Sequence, residues 1–195
     1  MPDEKQHLRT LLRTRRRNLS PVEVSEKSLC IGDRLLAFPP FQHARTVVLY
    51  SADENEVITE AVWQAALIQG KAVYYPRISA DRRNLEFVHR PPGDRLIPGT
   101  FGILIPPGND LLGSLRKTDL VLTPGVGFDR QGHRLGRGKG YYDRAFRDVL
   151  ADALRVALAY DFQVVPYIPA TSDDECVQYL VTEIATIDCT SPKLL

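Results

Sequence analysis

Between Asp119 and Arg144 the chain reads DLVLTPGVGFDRQGHRLGRGKGYYDR, and this segment limits the possible folds more than any other. An apolar run ends at Pro124. Six of the chain's 13 glycines follow within sixteen residues, at 125, 127, 132, 136, 138 and 140. Glycine loses much conformational freedom on ordering, so a loop this rich in it needs positive φ or close backbone approach. Arg134, Arg137 and Lys139 lie among the glycines, and Tyr141, Tyr142 and Asp143 open an expected helix. Such a loop offers an anion backbone N–H groups, a helix start and positive charge. Phosphate is the leading candidate, and a solvated flexible hairpin is the competing reading.

The loop is neither of the best-known phosphate signatures. Gly138-Lys139 is followed by Gly140 rather than Ser or Thr, and position 133 is His where a Walker A loop needs Gly. Gly136-x-Gly138-x-Gly140 is also not the G-x-G-x-x-G of a dinucleotide turn. Tyr141-Tyr142-Asp143 at the loop's exit favours binding over mere flexibility. Asp143 could hold Mg²⁺ against phosphates or simply stabilise the first turn of the helix.

Strand and helix patterns alternate around this loop. Residues 4–17 read as a basic helix with Leu8, Leu11 and Leu12 as its apolar face. Lys5, Arg9, Arg13 and Arg17 form a stripe at i, i+4 spacing. The stripe could be a solvated face, an RNA-binding surface or a cover over the glycine loop; locally the solvated face is favoured. Ser20-Pro21-Val22-Glu23 has capping-box form and opens a second helix. Strands are expected at 47–50, 72–75 (halted by Pro76), 85–88, 120–123, 156–159, 180–182 and 185–187. Helices are expected from a Thr59 cap to Gln69, with Gly70 as the stop, and from 141 to 150. The Pro- and Gly-rich stretch 90–114 reads as a long loop. Together these give one α/β domain over 1–195, with a mostly parallel sheet flanked by helices. Ligands in such folds bind at the carboxyl ends of strands, which the loops after Tyr50 and Thr123 leave. Glu56 belongs to the first of these loops, either as part of a polar turn or as an acceptor for an amide- or amidine-bearing ring.

Bulk properties narrow the function. A chain of 195 residues can bury roughly 70% of its unfolded surface without a disulfide or metal staple. A net charge of +1 argues against a nucleic-acid-coating surface. Cys30, Cys176 and Cys189 show no metal or disulfide spacing, which fits a reducing cytoplasm. No apolar run reaches the ~20 residues of a membrane span. The four histidines show no metal spacing, His133 reads as a turn residue, and no hydrolase nucleophile motif is present.

With these residues laid out, the chain resembles the 5-formyltetrahydrofolate cyclo-ligase (methenyltetrahydrofolate synthetase) family over nearly its whole length. The likeness rests on Lys5-x-x-Leu8-Arg9, Tyr50 with Glu56-Val-x-Thr59, and Phe101-Gly102-Ile103. Above all it rests on Pro124-Gly-x-Gly-Phe-Asp129 followed by Arg134 to Asp143. It implies a fold related to the sugar-phosphate isomerase and CoA-transferase group. It also implies ATP-dependent cyclisation of 5-formyltetrahydrofolate to 5,10-methenyltetrahydrofolate, with ADP and phosphate released and Mg²⁺ required. Carried over, Lys5, Gln6, His7, Leu8 and Arg9 contact ATP, as do Arg134, Leu135, Gly136, Arg137, Gly138, Lys139, Gly140, Tyr141 and Tyr142. Tyr50, Glu56 and Phe101 contact the folate, joined by the run from Arg137 to Tyr141, and Asp143 is the metal ligand. Lys139 and Arg137 are assigned the γ-phosphate. Where some relatives carry a second metal-binding Asp, this chain has Gln178, and it has Ile105 where many bacterial relatives place an acid before the proline. The expected partner is the small-molecule folate alone, with no nucleic acid and no membrane, acting on a cytoplasmic monomer.

Overall fold

The computed structural model describes residues 2–113 and 115–191. Five helices run in chain order: α1 Pro2–Arg17, α2 Pro21–Leu36, α3 Pro39–His43, α4 Glu60–Ile68 and α5 Tyr141–Arg147. Seven strands form the main sheet: β1 Thr46–Val48, β2 Ala72–Ile78, β3 Leu85–His89, β6 Leu120–Thr123, β9 Leu154–Leu158, β11 Tyr179–Val181 and β12 Thr186–Asp188. Between them lie the short strands β4 Ile97–Pro98, β5 Leu104–Ile105, β7 Gly127–Asp129, β8 Arg134–Leu135 and β10 Val164–Val165. The main sheet is ordered β12-β11-β9-β6-β1-β2-β3. Its five central strands pair in parallel, and β3 and β12 close the edges antiparallel. This is the expected mixed α/β fold.

Alternation along the central strands builds three layers. Val47, Leu49, Leu120 and Leu122 face the side covered by α2 and α4, where Ile31, Leu35, Val62 and Ala66 complete one core. Val48 and Val121 face the other side and pack with Phe146 and Ala145 of α5. Burial on both faces is why these strands read as unbroken apolar runs, and each such side chain contributes roughly 1.5–3 kcal/mol. Helix α2 starts on the capping box: the Glu23 N–H donates to Ser20 Oγ at 3.2 Å and the Ser20 N–H to Glu23 Oε2 at 2.8 Å. Gly70, at φ 69°, ends the α4 region as expected.

Several local expectations are corrected. Strand β2 runs through Pro76 to Ile78. The Leu49 N–H donates to the Tyr74 carbonyl at 2.8 Å, so Tyr74 turns its backbone groups toward β1. Pro76, two residues on, faces the space past the end of β1, where its missing N–H breaks no ladder bond. Thr59 occupies the N-cap position of α4 but makes no side-chain capping bond; its hydroxyl instead donates to the Tyr50 carbonyl at 2.7 Å. Helix α5 ends at Arg147, three residues early. Leu11 is 57% exposed, whereas Leu12 is 3% exposed in a cluster with Val126, Leu135 and Ile168, against which Leu8 packs. The 90–114 stretch folds a hairpin from β4 and β5, and Ser114 at its end lies outside the described residues.

Candidate functional site

Strands β1 and β6 are neighbours, but the chain leaves β1 toward β2 and leaves β6 toward β9, in opposite directions across the sheet. Their carboxyl-end loops therefore part, and an open α/β sheet binds ligands in the crevice so formed. A cleft of about 740 Å³ opens here, lined by both loops, by α1 and by the start of α5.

The glycine-rich segment divides into two parts. Its first half is a packed hairpin, β7–β8, to which β10 adds a third strand. A Cβ at Gly132 would stand 2.2 Å from the Val177 carbonyl oxygen, on a backbone at φ 84°. Asp129, fully buried, ties the turn by accepting from the Gln131, His133 and Ile168 N–H groups and from His133 Nδ1 at 2.8 Å. The second half, Gly136 to Gly140, lines the cleft together with Gly125, Arg134 and Leu135. There Gly138 and Gly140 adopt φ 91° and 65°, which Gly tolerates at no steric cost and other residues do not. Lys139 between them is exposed, and its ammonium has no ion-pair partner among the described residues.

Helix α1 lies along the cleft, so its basic stripe is not the solvated face expected locally. Lys5 pairs with Asp174 at 2.6 Å, and Arg9 Nε donates to the Gly136 carbonyl at 2.9 Å. Arg13 grips Glu54 with both Nη2 (2.8 Å) and Nε (3.2 Å), and Arg17 also pairs with Glu54. Burial pushes the Glu54 carboxyl up, but the Arg13 and Arg17 bonds outweigh it and bring it down to about 2. The stripe meets the site because α1 is anchored by Leu8 and Leu12 on its neighbouring line.

Arg137 crosses the crevice. Its guanidinium donates to Asp53 Oδ2 at 2.6 Å and to Glu56 Oε1 at 3.0 Å, whereas the sequence assigned it to a γ-phosphate. Glu56 is no surface turn residue: it is 7% exposed, and burial raises its carboxyl above the ordinary range against the opposing pull of Arg16 and Arg137. Tyr50, 2% exposed, donates its hydroxyl to the Val57 carbonyl at 3.0 Å. The Tyr142 hydroxyl is buried without a hydrogen-bond partner among the described residues, and burial raises its pKa. The lining also has apolar members, among them Ile103 and Ile105, the latter the isoleucine singled out in the sequence. Phe101 completes the rim, 72% exposed at φ 60°. A non-glycine residue held there is strained by roughly 1–3 kcal/mol, a state that clusters at ligand sites.

Among the described residues, no group of three or more His, Cys, Asp or Glu is arranged to hold a metal ion. The donor set suits a shared ion better. Asp143 Oδ1 accepts from Arg134 Nη2 at 2.9 Å and from the Glu175 N–H at 3.3 Å. Its second oxygen takes no hydrogen bond among the described residues, and Mg²⁺ is commonly held by one or two carboxylates with substrate phosphates and water. Gln178, where a second ligand was sought, instead accepts from the Arg155 N–H at 2.8 Å within the sheet.

The cleft thus gathers Lys5, Arg9, Tyr50, Glu56, Phe101, Asp143 and the whole run from Arg134 to Tyr142. Gln6 and His7 are exposed outside it, and Leu8 packs on the core beneath. Three contributors escaped the sequence reading. Asp53 was given no role of its own, Asp129 gave no signal apart from its motif, and Arg16 lies off the i, i+4 stripe. Asn55 Nδ2, which donates to three carbonyls at the end of α1, shows how tightly this turn is tied.

Comparison with known proteins identifies the family and the fold. The model of the 5-formyltetrahydrofolate cyclo-ligase family matches residues 2–183. The mouse 5-formyltetrahydrofolate cyclo-ligase is 31% identical over 192 residues, covering 92% of this chain and 93% of its own. The Escherichia coli K12 enzyme of the same name is 31% identical over 176 residues, covering 88% and 96%. The NMR structure of Aquifex aeolicus 5,10-methenyltetrahydrofolate synthetase superimposes with a TM-score of 0.83 at 30% identity, over 98% of this chain and 95% of that one. The Mycoplasma pneumoniae synthetase, 23% identical, shares the fold at a TM-score of 0.72 over 92% and 98%. The chain belongs to the 5-formyltetrahydrofolate cyclo-ligase family.

Proposed function

We propose that this protein couples phosphoryl transfer from ATP to ring closure, converting 5-formyltetrahydrofolate to 5,10-methenyltetrahydrofolate with release of ADP and phosphate. One observation carries the reading: a single cleft sets a cationic glycine loop, Gly136 to Gly140, beside apolar residues and a buried carboxylate, Glu56. The first half suits a polyphosphate. The second suits a flat ring with polar edges.

The formyl oxygen is a poor leaving group, and phosphorylation corrects this. The oxygen attacks the γ-phosphorus as ADP departs; N10 then attacks the formyl carbon, and the C–O bond breaks as phosphate leaves. Such chemistry asks the protein for positioning and charge neutralisation rather than for a nucleophile. Lys139, with its unpaired ammonium, neutralises the transferred phosphoryl group. Arg9 and Lys5 bring α1 over the nucleotide. Glu56 accepts from the N–H groups of the pterin, Phe101 and Tyr50 hold its faces, and Asp143 supplies one oxygen to Mg²⁺, which neutralises phosphate charge when bound.

The α1 cations are engaged with Asp174, Gly136 and Glu54, which supports a small-molecule partner over nucleic acid. We read the protein as a monomer. Three free thiols are compatible with the cytoplasm, where we place the protein. Mixing protein, 5-formyltetrahydrofolate and MgATP tests the reading through the absorbance of the methenyl product. Product that needs all components supports it; turnover without ATP, or neither product nor ADP, overturns it.

A further inference from the structure

Arg16 is the most buried cation of α1, its side chain 1% exposed. It spans the two loops that leave β1 and β6: Nε donates to the Glu54 carbonyl at 3.0 Å and Nη1 to the Gly125 carbonyl at 3.1 Å. Nη2 is buried and has no hydrogen-bond partner among the described residues. Its nearest acceptors are Glu56 Oε1 at 3.6 Å and Glu54 Oε2 at 3.8 Å. Glu54 is already held by Arg13 and Arg17. Among the described residues Glu56 Oε1 has one hydrogen-bond partner, Arg137 at 3.0 Å, while Oε2 accepts from the Asp53 N–H at 3.2 Å; Arg137, 36% exposed at the cleft, also pairs with Asp53 at 2.6 Å.

We infer that Arg16 is a positioning residue that takes over the Glu56 carboxylate when Arg137 turns toward a bound phosphate. The inference rests on the nucleotide reading above. Without Arg137 the buried Glu56 carboxylate keeps only the Asp53 N–H at 3.2 Å and Arg16 at 3.6 Å, which compensates a buried charge poorly, and an unmade buried N–H is itself costly. Arg16 resolves both with a shift of well under 1 Å from 3.6 Å, while its two carbonyl bonds hold the loops in place. The planar fork makes this possible; a lysine ammonium cannot keep both carbonyls and reach a third acceptor in the same geometry.

The test is a double-mutant cycle on the affinity for the non-hydrolysable nucleotide MgAMP-PNP, read by calorimetry with thermal melting of each variant. Arg16→Gln is expected to weaken binding about tenfold, the scale on which orienting partners act, and Arg16→Lys by less. With Glu56→Gln there is no carboxylate to hand over, so Arg16→Gln then changes affinity less than about twofold. Loss that is equal in both backgrounds, or absent from both, overturns the inference. Should Arg16→Gln fold only in the Glu56→Gln background, that rescue demonstrates the coupling, whereas failure in both shows a structural role alone. A wild-type protein that does not bind MgAMP-PNP refutes the nucleotide reading itself and is recognised before any variant is made.

Discussion

Removing the Lys139 ammonium should separate catalysis from stability. The side chain is exposed and makes no ion pair among the described residues, so Lys139→Met disturbs nothing in the folded ligand-free protein. Surface changes of this kind alter stability by less than about 0.5 kcal/mol. In a chain of 195 residues that is a melting shift of at most about 2 °C. Catalysis should respond very differently. A charge-assisted bond to phosphate is worth about 1.5–3 kcal/mol, and each ~1.4 kcal/mol is tenfold in rate. The expected loss in kcat/KM is therefore between about 10-fold and 150-fold. The methenyl absorbance assay and a thermal melt of the same preparation read both quantities. Near-wild-type kcat/KM would remove Lys139 from the phosphate site. A melting temperature lowered by ~5 °C or more would show that the ammonium has a structural partner in solution.

Three further outcomes follow from the same geometry. Glu54 titrates at about 2 when folded against 4.5 ordinarily, so between these values the unfolded chain binds more protons and stability rises with pH. Glu54→Gln should cost about 1–2 kcal/mol at pH 7, allowing for the solvent exposure of Arg13 and Arg17, and progressively less as pH falls from 4.5 toward 2, as urea unfolding can show. Gly132→Ala would drive a Cβ into the Val177 carbonyl at 2.2 Å, and should lower stability by more than about 2 kcal/mol, or about 4–8 °C in melting. Phe101→Ala should raise the KM for folate by roughly 2- to 13-fold, from an aromatic contact of about 0.5–1.5 kcal/mol, leaving the nucleotide KM and melting temperature unchanged.

The central strands were legible because their faces are both buried: apolar runs such as Leu120–Thr123 need no tertiary information to be recognised. The glycine loop was legible as a candidate anion site but not as two structures. Gly132 serves hairpin packing and Gly138 serves the cleft, and only the neighbours of each, Val177 in one case and Arg9 in the other, distinguish them. The basic stripe was misread locally because helical spacing tells which residues share a side, not what that side faces. Arg137 illustrates the same limit. Its charge and glycine neighbours suggest phosphate, yet its partners Asp53 and Glu56 come from a loop more than eighty residues away in sequence. Arg16 left no trace in spacing at all, since its role arises from its position between two loops that only the sheet order brings together.

Transfer of the formyl oxygen to phosphate is the step on which the whole reading depends. 5-Formyltetrahydrofolate labelled with ¹⁸O in the formyl group, turned over with unlabelled MgATP, makes the fate of that oxygen visible by mass spectrometry of the inorganic phosphate. One labelled oxygen in each phosphate released, with one ADP and one methenyl product formed, is the predicted result. Product accompanied by unlabelled phosphate, with the label found in water, would contradict phosphorylation of the formyl oxygen in this cleft.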